Sequence, residues 1–113
     1  MSTPIIDAAT FAELQASAGA DFVGELVDTF LEEAPVMLAA MKAALADGQP
    51  EPFRRAAHSL KSNAQTFGAL SLGAMARELE LGGLDAGKAS GAIDRLDQEY
   101  ARAATALTEL RDG

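Results

Sequence analysis

The sequence predicts an all-α protein, an antiparallel up-and-down four-helix bundle with a short additional helix at its N-terminus. Of 113 residues 49% are apolar but only 5% aromatic. Alanine and leucine must therefore supply the core, a composition typical of helices packed through small side chains. The two longest uninterrupted stretches carry apolar residues alternating by three and four, the repeat of a helix with one buried face. Glycine and proline punctuation ("SAGA", "DGQP", "FGA", "LGG") cuts the chain into five helical segments. Connections this short make successive helices antiparallel neighbours. One domain, residues 1–113, is expected from the length.

In the first segment Asp7 is placed to cap a short helix carrying Phe11 and Leu14, which Gly19 closes. The second runs from Asp21 to Ala46, and Val23, Val27, Phe30, Ala34, Met37, Met41 and Ala44 form its seam. Leu31, Leu38 and Leu45 add a second apolar stripe, and Pro35 is expected to kink this helix near Leu31. Pro52 opens the third segment at its first helical position, and Phe67 ends it before Gly68. The fourth is expected to be capped by Ser71, to carry Leu72, Met75 and Leu79, and to stop at Gly82-Gly83. The fifth, Ala89 to Leu110, repeats the seam with Ile93, Leu96, Tyr100, Ala103, Leu107 and Leu110.

The absence of cysteine excludes disulfides, thiolate nucleophiles, redox motifs and cysteine zinc sites. A single histidine, His58, cannot build a nitrogen-rich metal site alone, and no metal site is expected. A net charge of −8 repels nucleic acid. The start "MSTPIIDAAT" lacks a signal-peptide pattern and no apolar run suits a bilayer, so a cytoplasmic location without membrane contact is expected.

His58 lies in "RRAAHSLKSNAQTFGA". At about 100° per residue, Phe53, Ala57, Leu60, Ala64 and Phe67 gather on the buried side of this helix. Arg54, His58, Lys61, Ser62 and Gln65 gather on a stripe roughly 120° away. The histidine is thus predicted to flank the core. Near neutral pH an imidazole with an unprotonated ring nitrogen is a good nucleophile. A phosphoryl group taken by that nitrogen would have the Lys61 cation one turn along the same face. Small Ser62 and Ala64 leave room for a partner's phosphorylated residue to approach.

On these residues the sequence resembles the histidine phosphotransfer (HPt) family of two-component phosphorelays. The family signature is a histidine, two residues, a lysine, then small residues and a glycine about ten positions on. It reads here "AHSLKSNAQTFGA", with His58, Lys61, Ser62 and Gly68 in the matching positions. "TFLEEAPVMLAAM" is similar to the family's long second helix with its internal proline, and "ARELE" to the helix after the signature. Where the family most often has glycine after the lysine, this chain has Ser62. The resemblance implies a carrier in which His58 takes a phosphoryl group from a receiver-domain aspartate and passes it to another. Lys61 would stabilise that group. Receiver domains and a hybrid histidine kinase are the partners implied. Magnesium is expected in the receiver and no cofactor in this chain, and the fold is expected to act as a monomer.

No glycine-rich nucleotide loop or kinase signature is present, so a carrier rather than an ATP-using enzyme is expected. Arg54, Ser62 and Gln65 are candidates for docking the partner. Leu38 lies about as far before "DGQP" as His58 lies after it. At that height it is either an exposed docking contact or packed against the N-terminal helix. Glu78 and Glu80 are candidates for orienting the second imidazole nitrogen. Two other readings remain: a helical module that binds a receiver or kinase without exchanging phosphate, and a kinase-associated phosphoacceptor similar to that of the chemotaxis kinases.

Overall fold

The computed structural model describes residues 5–112, so residues 1–4 and 113 of the expected domain lie outside the described residues. Five helices follow in order: α1 Ala8–Ala18, α2 Ala20–Asp47, α3 Pro50–Thr66, α4 Leu70–Lys88 and α5 Ala92–Asp112. α2 packs on α3, α3 on α4, α4 on α5 and α5 back on α2, while α1 leans on α2 and α3. This ring is the up-and-down bundle that the short connections predicted. The 28 residues of α2 at about 1.5 Å rise each account for the 41 Å long dimension of the molecule.

The buried stripe of α3 is the predicted one, with Phe53, Ala57, Leu60 and Ala64 fully enclosed and Phe67 nearly so. These residues meet Phe30 and Met41 from α2, Leu72 from α4, and Leu96 and Leu107 from α5. Phe30 sits between two aromatic rings, Phe67 at 5.2 Å and Tyr100 at 6.0 Å between centroids. Burying each of these large side chains contributes about 2 kcal/mol, which explains why a short, alanine-rich chain can hold a bundle.

The structure moves several expected details. On α2 Leu38 joins the buried residues of the seam and Met37 is only half-buried. On α5 the covered residues are Leu96, Ala103 and Leu107, with Ile93 and Tyr100 half-buried and Leu110 exposed past the edge of the bundle. α3 begins at Pro50 rather than Pro52. Ser71 does not cap α4; the N-cap position is Ala69 and no side chain bonds there. α4 is broken at the predicted place by Gly83, whose φ is +69°, but resumes to Lys88, so α5 starts three residues later than expected. α2 runs through Pro35. The Leu31 carbonyl, which a proline nitrogen cannot serve, accepts a 3.4 Å hydrogen bond from the Tyr100 hydroxyl instead.

Gly68 joins the α3 end to the start of α1. Its φ is +83°, its carbonyl accepts from the Asp7 amide at 2.8 Å, and a Cβ there would stand 2.9 Å from the Asp7 carbonyl oxygen. Asp7 in turn caps α1, accepting from the Thr10 amide at 3.0 Å. Gly68→Ala therefore combines left-handed strain with a backbone collision. It should lower stability by about 2 kcal/mol, moving the melting point down roughly 8 °C. Gly48 is the control, since its φ is +66° but a Cβ there meets nothing within 4 Å. Gly48→Ala should lose about half as much, and equal losses in the two variants would remove the collision from the explanation.

Candidate functional site

His58 is placed by the side of α3 that the core does not claim, with 54% of its side chain exposed. α4 lies close against this helix. Gly73 makes that approach possible, because a Cβ on it would stand only 3.1 Å from Gln65 Cγ. Gly73 and Ala76 are buried, and Glu80 follows at the next step of the same three-and-four spacing. The spacing delivers the Glu80 carboxylate beneath the imidazole.

The resulting group has three members. His58 Nδ1 lies 2.7 Å from Glu80 Oε2, and Lys61 Nζ lies 3.0 Å from Glu80 Oε1. Glu80 is 12% exposed and Lys61 19%. Glu80 Oε1 is itself fully buried and receives no well-aligned hydrogen bond, so its compensation is the charge of the Lys61 ammonium. Lys61 first, and His58 less strongly, hold the Glu80 carboxyl below the usual carboxylate range against the opposing effect of burial. Glu80 is therefore ionised at neutral pH. An ionised carboxylate only accepts hydrogen bonds, which assigns the proton of the neutral ring to Nδ1 and leaves the Nε2 lone pair free.

Of the two carboxylates singled out by sequence, Glu80 joins the site and Glu78 is exposed without a partner among the described hydrogen bonds. In the structure Glu80 continues the buried stripe of Gly73 and Ala76 and Glu78 falls off it, a distinction made by the packing of α4 on α3. Arg54 is exposed and paired with Glu51 at 2.8 Å, and its charge also reaches Glu80 at longer range. Ser62 and Gln65 are exposed on the same helix, where the Ser62 carbonyl accepts from Thr66 Oγ1. Leu38 is 6% exposed and belongs to the core, so it is not the exposed contact beside His58. Gly68 acts at the helix junction, away from the imidazole.

The arrangement holds one imidazole by its Nδ1 side, with 54% of that side chain exposed. Among the described residues no group of three or more His, Cys, Asp or Glu side chains is placed to hold a metal ion. No described helix is long and apolar enough to cross a membrane.

A family model described as Hpt domain matches residues 25–112. The crystal structure of histidine-containing phosphotransfer protein B from Pseudomonas aeruginosa PAO1 is similar, with a TM-score of 0.86 and 29% sequence identity. That similarity covers 98% of this chain and 97% of the Pseudomonas chain. No curated protein sequence matches this chain significantly.

Proposed function

The chain belongs to the Hpt domain family, and from that premise we propose that it is a phosphorelay intermediate in which His58 carries the phosphoryl group. The observation that carries the residue assignment is the 2.7 Å contact between His58 Nδ1 and Glu80 in a side chain otherwise open to solvent. In the transfer, the Nε2 lone pair attacks the phosphorus of a receiver aspartyl phosphate. The N–P bond forms, the acyl P–O bond breaks, and the aspartate leaves as carboxylate. The Nδ1 proton stays on the Glu80 side throughout. Return of the group to another aspartate reverses each bond change.

Partners are the kinases and receivers of two-component relays, with receivers as the direct exchange partners. Charge supports this. α3 and α4 together carry five Lys or Arg against four Asp or Glu, in a chain of net charge −8. The two helices that carry the His58 site are thus less acidic than the rest of the chain and suited to an acidic phosphoacceptor pocket. Arg54, Ser62 and Gln65 line the approach. Lys61, on a flexible four-carbon stem, is near enough to share its charge with the phosphoryl oxygens once they are in place. Magnesium belongs to the receiver, and this chain contributes a nucleophile without a cofactor. It acts as a monomer and as a carrier rather than a kinase.

The test is to incubate the protein with separately phosphorylated receiver domains and follow phosphate onto it. Acid-labile, base-stable label is expected on this chain within the time the receiver loses its own. Binding to a receiver with no label transferred would replace the carrier reading with that of a non-transferring interaction module.

A further inference from the structure

An imidazole that is oriented by a carboxylate faces a conflict. The hydrogen bond fixes the tautomer, but an isolated negative charge at hydrogen-bonding distance favours imidazolium by about 1–3 pH units. An ordinary histidine titrates near 6.5, so a ring held by an uncompensated carboxylate would be protonated at neutral pH. Both nitrogens would then carry protons and the nucleophile would be lost. In this chain the carboxylate is not uncompensated: its other oxygen lies 3.0 Å from Lys61 Nζ, a contact almost as short as the 2.7 Å one to His58.

We propose that Lys61 acts before any phosphate arrives, offsetting the charge of Glu80 so that the carboxylate aligns His58 without drawing it into the protonated form. Three observations carry this. Lys61 reaches the buried oxygen of Glu80, which has no other compensation. The Lys61 side chain is itself largely covered, at 19% exposure, so solvent and salt screen the pair less than an exposed one. Its partner is the Nδ1-side carboxylate, not the open Nε2 side where a phosphoryl group would stand. Lys61 is thereby a positioning residue that works through Glu80.

The other charges around the group are accounted for. On α3, Arg54 acts on Glu80 only at longer range and is committed to Glu51. Arg55 lies on the same helix and makes no ion pair among the described residues. α4 supplies Glu80 itself, its exposed Arg77, Glu78, Asp85 and Lys88 make no ion pair among the described residues, and no charged side chain of α1, α2 or α5 among them pairs with any of the three. One carboxylate and one ammonium thus dominate the field at the ring.

The functional consequence rests on His58 being the phosphoacceptor, but its titration does not, so the two ideas fail separately. Because the chain has one histidine, a single imidazole signal can be followed by NMR in the unphosphorylated full chain. Lys61→Met and Lys61→Gln should each raise the titration midpoint of that ring by about 1 pH unit relative to the unaltered protein. Lys61→Arg should restore it, and in a Glu80→Gln background the Lys61→Met shift should fall below half. The same upward displacement should appear in the pH profile of diethylpyrocarbonate modification, which requires an unprotonated imidazole. Two neutral replacements guard against one of them failing to fold, and Lys61→Arg and Glu80→Gln report independently. An unchanged or lower midpoint in the neutral variants would overturn the proposal. A shift equally large in the Glu80→Gln background would overturn the route through Glu80.

Discussion

His58→Gln should reduce phosphate uptake from a phosphorylated receiver to background while leaving the fold intact. The two halves of this outcome have different causes. A glutamine side chain offers an amide whose nitrogen lone pair is delocalised, so no nucleophile remains and no residual slow transfer is expected. The ring is 54% exposed and contributes nothing to the seam of α3. Substitutions at such positions change stability by at most about 0.5 kcal/mol, or roughly 2 °C in melting point for this length. The measurement is acid-labile label per mole of protein beside a thermal melt and receiver binding by titration calorimetry. Retained label in His58→Gln would move the phosphoacceptor elsewhere. Lost label with retained affinity separates carriage from docking, and an unaltered protein that takes label from ATP and a kinase domain alone would favour the kinase-associated reading.

The second large effect is expected at Glu80. Removing the group that orients a reactive imidazole through its far nitrogen typically costs 10–100-fold in activity, and Glu80→Ala should slow phosphoryl uptake by about that factor. The cause is a loss of direction and tautomer rather than of the nucleophile. With no acceptor at 2.7 Å, the ring turns about its χ angles and the proton distributes over both nitrogens, so Nε2 is unprotonated and correctly aimed for less of the time. Glu80→Gln keeps an acceptor oxygen in reach of the Nδ1 proton and should retain an intermediate rate. Ring-nitrogen chemical shifts of His58 read the tautomer directly, and stopped-flow phosphotransfer reads the rate. A wild-type rate in Glu80→Ala would mean that the ring needs no orienting partner.

The relation between these two residues also shows where sequence reasoning stops. Helices α1 to α4 and the covered face of α3 were legible because each rests on local chemistry. Asp7, Gly48 and Gly68 punctuate helix ends, and the apolar residues from Phe53 to Phe67 repeat at the helical period. The phase of α2 was legible, since Val23, Val27, Phe30, Ala34, Met41 and Ala44 are buried as expected, but one position was not: contact with its neighbours covers Leu38 of the adjacent stripe and leaves Met37 half-buried. Likewise Leu110 repeats the α5 seam but extends beyond its neighbours, so periodicity had no partner to act on. Ser71 lost its expected capping role because α4 starts one residue before it, at Leu70.

By itself, then, the sequence determined the number and order of helices, the stripe that faces inward on α3, and the displacement of His58 from that stripe beside Lys61. Those properties depend on residues within a few turns of one another, where the 100° helical step converts spacing into direction. Only the tertiary structure decided that Leu38 is core, that Glu80 rather than Glu78 orients the imidazole, and that Lys61 meets the same carboxylate. His58 and Glu80 are 22 positions apart. Their meeting depends on the turn at Gly68 and on the closeness of α4 to α3 at Gly73. A small error in crossing angle or helix separation would part them, and spacing along the chain carries no information about either.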